Sequence, residues 1–372
     1  MPIVSNVTRR IRIHAKLALG SIGVASVSAM MMTMPSSVCA SSLQQNRTAF
    51  LYGQVASRYD STWQRIASGF ALDHRLDDPR VQQWLGWFEA RPQMFDQFAR
   101  RAAPWLRYVA EQVDDRGMPG ELALLPFIES GYDPTARNPG GSSGLWQFMP
   151  ATAREMGLDS TRGYAGRRDV VASTGAALDY FEMLRRHWYG DDWELTLAAY
   201  NAGPGRVNAA LASSPADDFW GLALPRETRD YVPKLLALSA IVSDPRRYGI
   251  DLPPIPDQPT FVQVDLEQSL DIRTAAELAG IELDELRALN PAYSGTLVQR
   301  GLLIPVDAHR TFDTNLAEFD FDAQPQRYIV GRGDTLSEIS ARTGISIEEI
   351  KRRNRLADNQ LRVGQALMLA GG

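Results

Sequence analysis

Residues 274–290 read TAAELAGIELDELRALN, and residues 338–354 read EISARTGISIEEIKRRN. The offset is 64 at Gly280/Gly344, Ile281/Ile345, Leu286/Ile350 and Asn290/Asn354. A repeat of this size means that one supersecondary unit occurs twice. Each copy opens on a strand-like run (Phe261–Val264; Tyr328–Val330) and closes on another (Leu302–Val306; Ala366–Leu369). The reading is strand–helix–helix–strand, twice, in small α+β (βααβ) units close to the lower size limit for independent folding. Thr335-Leu-Ser-Glu338 and Ser346-Ile-Glu-Glu349 both have the pattern of a capping box. The earlier copy lacks both patterns and reads as degenerate.

Ahead of the repeat the texture is different. From Asp78 to about Ile250 apolar residues recur at helical spacing, as in Val81, Trp84, Leu85 and Phe88, and no strand run stands out. This part is expected to be mainly α. Leu252-Pro-Pro-Ile-Pro256 then reads as a stiff extended linker. The organisation expected is a signal peptide at 1–40, a loosely packed lead-in at 41–77, the helical domain at 78–250 and a Pro-rich linker at 251–260. The degenerate module at 261–306, an irregular acidic linker at 307–326 and the second module at 327–370 complete the chain.

Within the helical domain, PFIESGYDPTARNPGGSSGLWQFMP (126–150) joins an apolar helix, a single carboxylate and a glycine-rich loop. A carboxyl among Leu122, Leu124, Leu125, Phe127 and Ile128 has its charged form destabilised, so Glu129 is a candidate proton donor near neutral pH. Gly131 can end its helix in the left-handed conformation. The loop Asn138–Gly144 can bring backbone N–H groups to a ligand. Trp146, Phe148 and Gln147 offer the aromatic faces and amide that a carbohydrate requires, although Trp146 also reads as a core residue. Asp133, before Pro134, reads as a turn residue. Gly140-Gly-Ser142-Ser-Gly144 matches GxSxG, but a helix and a polar turn precede it where a nucleophile elbow needs a strand. Further on, Leu197-Ala-Ala-Tyr200-Asn201-Ala-Gly203 sets a tyrosine and an amide at a helix end. Pro225-Arg-Glu227-Thr-Arg-Asp-Tyr231 sets polar groups ahead of an apolar helix.

Glu129-Ser130, Gly144-Leu-Trp-Gln147 with Met149-Pro150, Ala199-Tyr-Asn-Ala-Gly203 and Glu227-Thr-Arg-Asp-Tyr-Val232 occur in that order. Together they resemble the lytic transglycosylase (SLT) domain, whose fold is goose-lysozyme-like. Tyr328-Ile-Val330, Gly333-Asp-Thr-Leu336, Asn354 and Val363-Gly-Gln365 resemble LysM, a sugar-binding module. Trp146 stands where many members of the family carry Met. The copy at 261–306 has Ser269-Leu-Asp-Ile272 in place of Gly-Asp-Thr-Leu.

The resemblance implies a multidomain protein, with a mainly α lysozyme-like catalytic domain followed by LysM-type modules. It implies cleavage of the β-1,4 bond between N-acetylmuramic acid and N-acetylglucosamine in peptidoglycan, with formation of a 1,6-anhydro sugar. Glu129 would be the acid and then the base, with Tyr200 orienting it or the sugar. Ser142, Gly144, Trp146, Gln147, Phe148, Asn201, Glu227 and Tyr231 would contact the glycan. Gly333, Asp334, Thr335, Leu336 and Asn354 would hold sugar on the second module. A hydrolytic muramidase and a catalytically idle wall-binding scaffold are the alternatives.

No cofactor or metal is expected, since four histidines and one cysteine provide no HExxH or CxxC. A net charge of −5 without a basic stripe argues against a nucleic-acid partner. Arg9, Arg10, Arg12 and Lys16 precede an apolar stretch and Val38-Cys39-Ala40, the pattern of an exported precursor. The expected compartment is the periplasm of a Gram-negative bacterium. Association with a membrane, including the outer membrane, is expected only if Cys39 is lipidated, and Val38 suits that poorly. The expected partner is the peptidoglycan glycan strand.

Overall fold

The computed structural model describes residues 58–298, 301–321 and 326–370. The expected signal peptide and the start of the lead-in lie outside the described residues. Mainly α architecture is observed up to Ile250, with two βααβ modules after it.

The helices start where the sequence provides caps. Ser61 opens α1 (Thr62–Ser68) and Asp78 opens α2 (Pro79–Glu89), the latter with Pro79 in the first turn. Helices α3 (Gln93–Ala102), α4 (Leu106–Asp115), α5 (Leu125–Glu129) and α6 (Pro150–Glu155) follow. Asp169 caps α7 (Val170–Leu184), and Asp192 caps α8 (Trp193–Ala202). Helix α9 spans Pro204–Ser213. The long α10 (Arg226–Ser243) runs through the centre, burying Val232, Leu235, Leu236 and Ile241 against α2 and α8.

Up to the end of the proline stretch, three features depart from the expectation. Helix α1 belongs to the core, because Trp63 and Ile66 recur at helical spacing and are buried in it. Residues 62–68 are therefore no loose lead-in. The proline stretch is extended but docked. Trp63 Nε1 donates to Pro253 O at 2.8 Å, and Asp257 lies buried between Arg65 (2.8 Å) and Arg107 (3.0 Å). The third difference is a two-stranded hairpin, β1 (Ser160–Thr161) with β2 (Tyr164–Ala165), too short to register as a periodic run.

In the first module β3 (Phe261–Val264) pairs antiparallel with β6 (Leu302–Pro305), and β4 (Leu270–Asp271) with β5 (Leu297–Val298). Helices α11 (Ile272–Ala279) and α12 (Leu283–Leu289) lie between them. The segment expected as an irregular acidic linker is largely α13 (Val306–Glu318). Ala308 and Phe312, four residues apart, bury against α11, and the surface charges had obscured that stripe. In the second module β7 (Gln326–Ile329) pairs antiparallel with β8 (Ala366–Ala370), around α14 (Leu336–Thr343) and α15 (Ile347–Asn354). The box at Thr335 is complete. At Ser346 only half forms, because the Glu349 carboxylate turns to Arg352 and Arg353.

The repeated asparagines play the same part in both copies. Asn354 donates to Ile350 O and Met368 O and accepts from Met368 N. Asn290 does the same with Leu286 O, Leu303 O and Leu303 N. Each amide staples a helix end to the closing strand. Asn354→Ala would leave those backbone groups without their partner, and is expected to cost the module about 2–4 kcal/mol. Amide exchange at Met368 should accelerate while exchange in α10 stays as it was.

Candidate active site

The turn after α5 fixes Glu129. Gly131 (φ 65°) and Tyr132 (φ 58°) reverse the chain, and Ser130 N and Tyr132 N both donate to Pro126 O at 3.0 Å. Tyr132 is buried, with its hydroxyl on Ala123 O at 2.9 Å. Ser130 Oγ donates to Leu145 O at 2.8 Å, which ties this turn to the glycine-rich loop. The Glu129 side chain is half-buried at that junction.

Its partner comes from α10. Tyr231 Oη donates to Glu129 Oε1 at 2.6 Å. Burial pushes the Glu129 carboxyl up to about 7, with Tyr231 and Lys234 pulling against that rise and Glu227 adding to it. Glu227, Tyr231 and Lys234 stand at i, i+4 and i+7 of one helix, so one face of α10 supplies all three. Lys234 is half-buried, with Nζ 5.1 Å from the Trp84 ring centroid. The sequence reading did not single out Lys234. Its spacing from Tyr231 was the available signal. Glu121, whose carboxylate is fully buried, is structural: Ala71 N, Leu72 N and His74 Nε2 bond to it.

Several expected contact residues have their rings or polar groups engaged within the protein. Tyr200 stacks on Phe181 at 4.4 Å and donates to Trp146 O at 2.8 Å, so its hydroxyl is engaged with that carbonyl and not with Glu129. Trp146 is buried in the core, its Nε1 donating to Thr174 Oγ1, and Phe148 is buried beside it. Neither ring is available as a sugar platform. The apolar run that suggested a platform is the floor of the loop.

The loop N–H groups of Asn138, Gly141, Ser143 and Gly144 bond to carbonyls within the 136–148 segment, so they form no ligand cradle. Gly144 (φ 87°) is needed for packing, since a Cβ there would lie 1.6 Å from Arg167 O. Gln147 holds φ 48°, with its Nε2 on Gly144 O and its Oε1 accepting from Ser142 Oγ. Asn201 accepts from Thr228 Oγ1 at 2.8 Å, and Glu227 is exposed. Asp133 forms a turn with Thr135, as expected.

On the second module the expected sugar-binding side chains are largely committed internally. Thr335 caps α14, Leu336 is buried, and Asn354 is the staple described above. Asp334 accepts from Tyr328 Oη, Gly331 N, Arg162 and Arg342.

The family model for the transglycosylase SLT domain matches residues 109–222, and that for the LysM domain matches 328–369. The chain carries an SLT domain followed by LysM domains. The model for the lytic transglycosylase MltD LysM-like domain covers 260–320 and takes in α13. Membrane-bound lytic murein transglycosylase D of Escherichia coli K12 is 39% identical over 292 residues, which are 73% of this chain and 64% of the relative. The chain thus spans less than two thirds of that relative's length. Soluble lytic murein transglycosylase of the same strain is 33% identical over 120 residues, 30% of this chain and 18% of its own. The SLT match closes before α10, so Tyr231 and Lys234 lie beyond it.

Proposed function

We propose that the SLT segment is a peptidoglycan lytic transglycosylase that cuts between N-acetylmuramic acid and N-acetylglucosamine. The observation that carries this reading is Glu129: half-buried, raised to about 7, and held by a tyrosine hydroxyl at 2.6 Å. A carboxyl with that affinity for its proton can give it up and take one back near neutral pH.

In this reading Glu129 protonates the glycosidic oxygen and the C1–O bond breaks. The substrate's acetamido oxygen stabilises the cationic C1. The sugar's own C6 hydroxyl then attacks C1, and its proton returns to the Glu129 carboxylate. No water is consumed, and one carboxyl serves both steps because the nucleophile belongs to the substrate. The intramolecular attack carries an entropic advantage. Asn201, half-buried with its Oδ1 on Thr228, would turn its amide N–H to the glycan, and Ser142 and Gln147 would reach it only by exchanging their mutual hydrogen bond. Tyr200, Trp146 and Phe148 support the loop from beneath. Mass spectrometry of digested sacculi is the test. Products one water lighter than hydrolytic fragments are expected, and hydrolytic fragments would replace this reading with a muramidase.

Tyr231 is assigned to orient Glu129 and to stabilise its carboxylate form. Tyr231→Phe removes a charge-assisted hydrogen bond, so about a 10-fold loss of kcat is expected. Without that bond the Glu129 carboxyl rises further, so the alkaline limb of the pH–rate profile moves to higher pH. A limb that moves down or stays in place would remove Tyr231 from this role.

The LysM modules are proposed to hold the chain on glycan strands and raise the local substrate concentration. The compartment proposed is the cell envelope after export. Among the described residues no helix is long and apolar enough to cross a membrane.

A further inference from the structure

The β1–β2 hairpin of the SLT segment reaches both LysM modules, and it grips them differently. Toward the first module the contact is backbone on backbone. Ala165 N donates to Ala292 O at 2.9 Å, and Ser294 N donates to Gly163 O at 2.9 Å. Tyr164 and Tyr293 lie ring to ring at 5.2 Å. Gly163 faces Gly295 so closely that a Cβ on Gly295 would sit 3.3 Å from Gly163 Cα.

Toward the second module the hairpin's contact is made through side chains, Arg162 of the hairpin and Arg342 of the module, while the first module adds Ser269 Oγ on Arg342 O at 2.8 Å and Leu297 against the second module's core. Arg162 Nη1 lies 3.0 Å from Asp334 Oδ1. Its guanidinium rests against the Gly331–Asp334 loop, where a Cβ on Gly333 would meet Nη2 at 3.1 Å and one on Gly331 would meet Nη1 at 3.6 Å. Arg342 Nη1 returns a bond to Arg162 O at 3.0 Å. The Asp334 carboxylate is almost wholly buried in this arrangement, while the Arg162 side chain stays 45% exposed.

We infer that the Gly331–Asp334 loop is the surface by which the second LysM module docks on its own catalytic segment, that Arg162 is the inserted cation, and that a glycan strand competes with Arg162 for this loop. The docked partner is an arginine-tipped hairpin. The competitor is an uncharged N-acetylated sugar strand, which rests on the wall-binding role proposed above for LysM. Gly333 fits the docking, since a side chain there would crowd the guanidinium. The asymmetry of the two grips matters for function. A backbone-paired contact holds the first module in place, whereas the Arg162–Asp334 pair is open to solvent on its arginine side and is weakened there by salt. The second module is therefore the one that can be exchanged onto a strand, and its binding is reduced by the fraction of molecules in which the loop is docked.

The test is binding of the full chain to purified sacculi, in a Glu129→Gln background so that the matrix stays intact. Arg162→Ala removes the cation, and Arg162→Glu sets a like charge against Asp334. Position 162 is exposed in a hairpin, and circular dichroism verifies folding. Sacculus binding is expected to tighten about 3-fold for Arg162→Ala and about 10-fold for Arg162→Glu, as docking is lost. Raised salt should tighten the parent chain and leave Arg162→Glu unaffected. Unchanged or weaker binding by either variant would overturn the competition. Failure of the proposed chemistry reads out separately, as absence of cleavage of soluble muropeptides by the chain with Glu129 intact.

Discussion

Glu129→Gln is expected to lower glycan-strand cleavage by at least about 10²-fold and to make the protein more stable at neutral pH. The loss follows from removing the proton that the glycosidic oxygen receives. The gain follows from the same burial that equips the residue for the task. An ordinary glutamate titrates near 4.5, and here the carboxyl is raised to about 7. Between those values the unfolded chain has released its proton and the folded chain still holds it. Stability therefore falls as pH rises through this window, and the full cost is present above about 7. The interval corresponds to about 3 kcal/mol at most. Glutamine keeps an oxygen for Tyr231 Oη and carries no charge to desolvate. A melting midpoint several degrees above the parent at pH 8, converging with it near pH 4, is the expected pattern. A variant with full activity would end the assignment of Glu129, and a melting difference independent of pH would end its explanation by burial.

Gly144→Ala should be the most damaging single-methyl change in the loop. Both Gly141 (φ 100°) and Gly144 (φ 87°) hold left-handed backbone, so alanine is strained at either. Only at Gly144 does the added carbon meet backbone, 1.6 Å from Arg167 O, whereas at Gly141 the nearest atom is Pro150 Cδ at 4.0 Å. Two chain segments must separate to admit that carbon. The combined strain and overpacking put the expected cost at about 3–5 kcal/mol for Gly144→Ala, against about 1–2 kcal/mol for Gly141→Ala. Activity should fall further than stability. Leu145 O anchors Ser130, so a displaced loop drags the Glu129 turn with it. Denaturant midpoints of the two variants decide the matter, and equal destabilisation would contradict the packing account.

Much of the fold was legible because its signals are local. The apolar spacing from Val81 to Phe88, the capping-box pattern at Thr335 and the constant 64-residue offset are each written in a short stretch of chain. Helix α13 was misread because charge dominates Asp307–Glu318, and only the Ala308–Phe312 pair shows the face it buries. Glu129 was legible for a similar reason, as one carboxylate inside an apolar run.

Its surroundings were less legible. Trp146 and Phe148 have the composition of a sugar platform, and nothing within five residues of either says that both rings point inward. Tyr200 and Tyr231 each end or begin a helix near polar residues, and their sequences do not rank one above the other as Glu129's partner.

The chain alone determined a helical domain ahead of a doubled βααβ module and the carboxyl with a raised affinity for its proton. These depend on residues within a turn or two of one another, where periodicity and capping are written directly. The tertiary structure decided that Tyr231, 102 residues away, holds Glu129, that the glycine-rich loop is spent on its own hydrogen bonds, and that Arg162 reaches Asp334 across 172 residues. Such pairings depend on which helix faces and loops the packed core brings together, and no local pattern encodes that.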